Sequence, residues 1–152
     1  MDAIVLFIQK SRGFYYLSVC ALLVACADYS FNINDNQVYS PPRLFNDFTI
    51  PDPGLRDCIQ QTISDQKITA PEDLEILTCS HAGIVSLEGI SQFSRLTRIN
   101  LKSNQIESVD ELLQLTYLEE LDVSDNPIES CQTLSQLGAV VTGRLVHNKP
   151  CP

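Results

Sequence analysis

The sequence predicts an α/β solenoid, a short stack of parallel strands with one strand per repeat, closed at its N-terminal end by a helix. Three observations lead there. From Leu74 the chain divides into units of equal length: LEILTCSHAGIVSLEGISQFSR (74–95), LTRINLKSNQIESVDELLQLTY (96–117), LEELDVSDNPIESCQTLSQLGA (118–139) and the truncated VVTGRLVHNKP (140–150). Near the start of each unit apolar residues alternate, as on a strand with one face buried. Ahead of the units, residues 52–63 combine a helix-start signal with apolar residues at helical spacing.

Residues 1–25 read as an export signal. Lys10 and Arg12 supply a positive flank, and Phe14–Ala25 (FYYLSVCALLVA) is an apolar run of signal-sequence length. It is shorter than the roughly 18–20 apolar residues a spanning helix needs. The run ends in Leu23-Val24-Ala25-Cys26, which resembles a bacterial lipobox. That resemblance implies cleavage before Cys26 and lipid on its sulfur and new amino terminus. The competing reading is an ordinary secretory signal or an uncleaved anchor. In enterobacterial lipoproteins an Asp directly after the lipidated Cys retains the protein at the inner membrane, so Ala27 implies the outer membrane of the cell envelope. Residues 26–48 (Ala27 onwards, ADYSFNINDNQVYSPPRLFNDF) have no sustained period and contain a Pro-Pro pair, which predicts an extended tether.

The cap spans 49–73. Asp52 and Pro53 make a helix start, a capping side chain followed by proline at the first helical position. Leu55, Cys58, Ile59, Thr62 and Ile63 then fall at i, i+3, i+4, i+7 and i+8, an amphipathic helix of about three turns. Thr69-Ala70-Pro71-Glu72 is a second start, of the capping-box kind, and predicts a short helix before the first strand.

The repeats span 74–150, with a C-terminal cap to 152. Their first column reads Leu74, Leu96, Leu118, Val140, and their ninth reads Ala82, Asn104, Asn126, Asn148. Leu77 and Cys79, Ile99 and Leu101, and Leu121 and Val123 face inward, and one unit cannot bury them alone. An Asn amide can satisfy backbone groups left free where the chain leaves the strand, which predicts a ladder of Asn104, Asn126 and Asn148. Ala82 cannot take part. Ile84, Ile106 and Ile128 continue the core. Leu87, Ile90 and Phe93, then Val109, Leu112 and Leu115, then Leu134 and Leu137, line the return segments. These columns resemble the leucine-rich-repeat pattern L-x-x-L-x-L-x-x-N-x-I. Ile50–Ile76 is similar to the helical N-terminal cap of bacterial internalin-type repeat proteins, in which P-D-x-x-L-x-x-x-I and I-T-x-x-D-L precede the repeats. Residues 51–59 and 68–74 follow those patterns. The resemblance implies a short right-handed leucine-rich-repeat solenoid that acts as a binding module, and no partner carries over with it.

The chain has 10 Lys and Arg against 19 Asp and Glu. Loss of Lys10, Arg12 and Asp2 with the signal leaves 8 against 18, a net charge of −10. That acidity argues against nucleic acid, which needs a basic footprint, and against lying on anionic lipid. Membrane association is therefore expected through the lipid anchor only, and the domain is expected to be a monomer.

Cys58, Cys79, Cys131 and Cys151 remain once Cys20 and Cys26 are set aside, and four cysteines allow three pairings. Cys58 is on the inner face of the cap helix, and Cys79 replaces a core Leu in the adjacent strand. Cys131 is in the third return segment, and Cys151 stands about one layer on. The expected bridges are Cys58–Cys79 and Cys131–Cys151, each contributing about 2–4 kcal/mol in an oxidising periplasm or cell surface. A zinc site is the competing reading. It lacks a C-x-x-C pair and requires cysteines from opposite ends of the stack to meet.

In this family the concave sheet face is the usual contact surface. Its candidate protein-binding residues are Arg98, Asn100, Lys102, Glu120, Asp122 and Arg144, within outward positions that also include Ile76, Thr78, Ser80, Ser124, Thr142 and Val146. With strands about 4.8 Å apart, Arg98 is expected beside Glu120, and Asp122 between Asn100 and Arg144. The bland alternative is that these are lateral pairs on an exposed sheet, each contributing at most about 1 kcal/mol. No catalytic, cofactor or metal-ligating set is expected. His81 and His147 share the eighth column three layers apart, roughly 14–15 Å by strand spacing. The Ser residues have no motif-placed base, and there is no Gly-rich phosphate loop. The reading is a non-enzymatic cell-envelope lipoprotein that binds a protein through its concave face. The alternatives are a structural component touching partners by its cap or convex side, and an unrecognised enzyme.

Overall fold

The computed structural model describes residues 31–33, 36–39 and 42–151; the export signal and Cys26 lie outside the described residues. The chain divides into two compact units, Met1–Pro42 and Arg43–Pro152. In the first, strands β1 (Phe31–Ile33) and β2 (Asn36–Tyr39) pair antiparallel with a register shift after Phe31. That pairing departs from the unpaired tether that the lack of a period predicts.

In the second unit the chain packs from Leu44 onwards, short of the expected cap boundary at residue 49. Leu44, Phe45 and Phe48 lie against the core. Phe45 and Phe48 sit 6.3 and 5.7 Å from Phe93, in edge-on geometry. The Phe45 N–H donates to Ile68 O at 2.9 Å. These three apolar side chains, close together in the chain, have enough area to leave water once Phe93 offers a surface.

Helix α1 runs Pro53–Gln66, with Leu55, Ile59 and Ile63 buried along one stripe. Asp52 caps it, and Lys67 ends it in the left-handed conformation while donating to Ile63 O. A 3-10 turn follows at Pro71–Asp73. Asp73, rather than Glu72, closes it, accepting from Ala70 N–H and Thr69 Oγ1 at 3.1 Å each.

Four parallel strands stack in the order β3 (Ile76–Thr78), β4 (Arg98–Asn100), β5 (Glu120–Asp122) and β6 (Arg144–Val146). The return segments lengthen along the stack. They are 3-10 turns at Ile90–Gln92 and Asp110–Gln114, then helix α2 at Cys131–Val140, capped by Ser130. Every inward residue expected for the first three units is buried, as are the return-segment residues from Leu87 to Leu137.

The fourth unit differs from its expected register. Ile76 pairs with Arg98 and Arg98 with Glu120, each one repeat length on, but Glu120 pairs with Arg144 instead of Thr142. An α-helix advances about 1.5 Å per residue against about 2.0 Å for a 3-10 turn, so α2 uses more chain to cross the same layer. Val140, expected to open the fourth strand segment, ends α2, and Thr142 takes its place by donating to Leu118 O at 3.1 Å. A slip of two residues keeps each side chain on its face and changes only its row.

Candidate functional site

The ladder has two rungs. Asn104 Nδ2 donates to Cys79 O and Leu101 O at 2.8 Å, and its Oδ1 accepts from Ala82 N–H at 2.9 Å and Ile84 N–H at 3.2 Å. Asn126 repeats this one layer on, donating to Leu101 O and Val123 O and accepting from Ile106 N–H. Before Ala82, Asn104 and Asn126 the chain turns through a left-handed residue, His81, Ser103 and Asp125 respectively, with φ of 57–58°. Asn148 is not a third rung. The longer fourth layer leaves it exposed, where it donates to Asp125 Oδ1 at 2.7 Å and accepts from Asp125 N–H at 3.0 Å.

At the other end Asp52 joins the cap to the first repeat. Its Oδ1 accepts from Leu55 N–H at 2.8 Å, and its Oδ2 accepts from Val85 N–H and Ser86 N–H at 3.0 and 3.2 Å. Burial pushes its pKa up, but the N–H groups of Leu55, Val85, Ser86 and Gly54 outweigh that and hold the carboxyl below the usual Asp value. The spacing around Asp52 signals a cap; nothing in it signals the contact with Val85 and Ser86 in the first repeat. Two disulfides complete the ends. Cys58 pairs with Cys79, Cα atoms 5.8 Å apart, and Cys131 with Cys151, Cα atoms 5.5 Å apart. These sulfurs are not available to a metal.

The concave face carries two rows of outward side chains. The first is Ile76, Arg98, Glu120 and Arg144; the second is Thr78, Asn100, Asp122 and Val146. Arg144 therefore flanks Glu120, and Asp122 lies between Asn100 and Val146, which corrects the expected pairing of Asp122 with Arg144. The second row is partly committed to its own strands. Asn100 Oδ1 accepts from Lys102 N–H, and Asp122 Oδ1 accepts from both the N–H and Oγ of Ser124. Lys102 Nζ lies 3.6 Å from Asp125 Oδ2, the one ion pair among the described residues. Arg98, Glu120 and Arg144 are exposed, and none of them makes a side-chain hydrogen bond or ion pair among the described residues. Ile76 beside them is 37% exposed, one of few large apolar side chains so open. The face is a shallow hollow lined by polar, charged and apolar side chains.

His81 and His147 do not share a column. His81 is an exposed turn residue, and His147 stands at the level of Val123 beside α2. Among the described residues, no group of three His, Cys, Asp or Glu side chains is placed to hold a metal, and no helix is long and apolar enough to cross a membrane.

Residues 94–136 match a family model described as Leucine Rich repeats (2 copies). No curated protein matches the chain. Among solved structures it resembles an internalin (inlF) from Listeria monocytogenes, at 24% identity and a TM-score of 0.54, over 63% of this chain and 29% of that one. It also resembles internalin C2 (inlC2) of the same organism, at 24% identity and a TM-score of 0.51, over 62% of this chain and 47% of that one. The chain thus spans less than half the length of either, and at this identity the likeness is one of fold. The register of the sheet, the Asn rungs and these matches agree that the fold is that of a leucine-rich-repeat solenoid, with four stacked strands among the described residues.

Proposed function

We propose that this chain is a non-enzymatic protein-binding module of the cell envelope, held to the membrane by lipid on Cys26, and that its concave face makes the contact. The observation that carries the contact surface is the Arg98–Glu120–Arg144 row. Three charged side chains stand exposed beside Ile76 with no partner of their own among the described residues. Arg side chains and an adjoining apolar residue are the composition from which interface hot spots are built. The lipid rests on the lipobox resemblance at Leu23–Cys26. Two disulfides in a domain of this size suit an oxidising compartment. The module acts as a monomer, tethered by its lipid alone. The second reading, a structural component that touches its partners through the cap or convex side, draws on the exposed Tyr117, whose ring stacks under Arg95 at 4.8 Å.

The test is crosslinking and capture from intact cells, read by mass spectrometry. Arg98→Ala/Arg144→Ala is expected to reduce capture of the partner at least about tenfold, the loss of roughly 1.4 kcal/mol. Adding Asn100→Ala and Asp122→Ala is expected to deepen the loss. Unchanged capture with both variants moves the contact to the cap or convex side. Labelled palmitate is expected to follow the protein and to be lost in Cys26→Ser; label that persists in that variant ends the lipid reading.

A further inference from the structure

The two disulfides sit in different settings. Cys79 is 2% exposed within the core, and Cys58 is half-buried in the second turn of α1. Cys151 is exposed, and Cys131 is the first residue of α2. Cys151 is thus the side of that bridge turned to solvent. Breaking that bridge there leaves Cys131 as the departing thiolate, at the start of a helix where free N–H groups and the helix dipole favour negative charge. A lower-pKa thiol leaves faster in thiol–disulfide exchange.

The same bridge encloses the layer whose strand is least buried. The loop from Cys131 to Cys151 contains all of α2 and β6. Among the described residues β6 is an edge strand, paired with β5 alone in the sheet. Its inward Leu145 is half-buried, whereas Leu77, Ile99 and Leu121 at the same level are at most 3% exposed. At the next inward level stands His147, whose Nδ1 is buried with no hydrogen-bond partner among the described residues. The hollow between α2 and β6 is walled by Leu134, Leu145 and His147 and edged by both cysteines. Leu134 and Leu137 bury the helix side of this layer, but the strand side has only half-buried Leu145 and an unsatisfied polar atom, so β6 relies on its pairing with β5 and on the covalent closure.

We propose that Cys131–Cys151 is a redox-labile latch. A dithiol reductant opens it in preference to Cys58–Cys79, and opening frees β6 and the segment to Cys151 from the stack. One thiolate of the reductant attacks Cys151 Sγ, forming a mixed disulfide while the electron pair of the Sγ–Sγ bond leaves on Cys131. The second thiolate of the reductant then attacks the reductant sulfur of that mixed disulfide, and Cys151 leaves with its electron pair. The reductant becomes a disulfide, the two cysteines together gain two electrons, and they take up the two protons its thiols gave up. Because β6 carries Arg144, opening takes the fourth strand out of the concave face. The latch does not depend on what that face binds.

Native protein titrated with dithiothreitol, alkylated at each step and mapped by mass spectrometry, tests the order of opening. Cys131 and Cys151 are expected to become alkylated at concentrations at least about tenfold below those that expose Cys58 and Cys79. Hydrogen exchange on the same samples is expected to accelerate over 141–151 and to stay unchanged over 76–78 and 98–100. Simultaneous opening, or earlier opening of Cys58–Cys79, overturns the order; unchanged exchange over 141–151 after selective opening overturns the release. Untreated Cys131→Ser/Cys151→Ser is expected to reproduce the fast exchange at 144–146, and wild-type exchange there would also overturn the latch.

Discussion

At Asp52 one carboxylate meets N–H groups of Leu55 and Gly54 in α1 and of Val85 and Ser86 in the first repeat. Because those donors hold its folded pKa below the ordinary value of 3.8, the unfolded chain binds a proton at Asp52 more readily than the folded one. Its contribution to stability is fully present above that value and is lost as pH falls through the lower, folded value. Urea unfolding is therefore expected to show Asp52→Asn less stable than wild type at about pH 6, with the gap narrowing as pH falls below the ordinary Asp value. A gap that stays constant or widens contradicts this role. Asp110 titrates in the same direction, its carboxyl held low by the hydroxyl of Thr133 and then that of Ser108, but it is common to both proteins and cancels. Asn148 shows the limit of reading by column. The sequence places an Asn at the right count, yet a rung needs the turn before it to lie one layer above the last, and α2 takes two extra residues to get there.

Elements differ in how plainly the chain announces them. The strands β3 to β5 and the stripe of α1 follow from apolar period alone. Helix α2 does not, because Leu134 and Leu137 at i and i+3 serve a short turn and a helix equally well. One residue carried the missing signal: a constant period puts Gly143 in the inward column filled elsewhere by Leu77, Ile99 and Leu121, while the observed register puts Leu145 there. A Cβ at Gly143 would come 2.7 Å from Glu119 O, so the close approach of successive layers explains the glycine. Two helical glycines give opposite expectations. Gly138→Ala places its Cβ 3.9 Å from Leu145 Cδ2, an ordinary contact, and is expected to raise stability by about 0.5–1 kcal/mol through helix propensity. Gly54→Ala gains no such benefit, because its Cβ would meet the Ala82 carbonyl oxygen at 2.5 Å and push α1 off the first repeat. Thermal melts that move both variants the same way contradict this packing.

Taken whole, the domain is a one-dimensional stack, so its stability resides in contacts between neighbouring layers and in the closure of its ends. The period that gives the layers was legible in the sequence, as was the pairing of the four cysteines, since each pair spans one layer. The residues at the site were legible as a face but not as rows: Arg144 lies beside Glu120 because of a helix whose length the columns hide. Packing of Leu44, Phe45 and Phe48 on Phe93 was not legible, because no period links a short apolar cluster to a surface in another segment. Asparagine rungs at 104 and 126 join the first three layers, and the fourth layer has none. The measurement is urea unfolding of Asn104→Ala, Asn126→Ala and Asn148→Ala. The first two are expected to lose about 2–4 kcal/mol, since each leaves buried backbone groups unpaired, and the third under about 1 kcal/mol. Equal losses at all three positions, or the largest at Asn148, would contradict the stack as described.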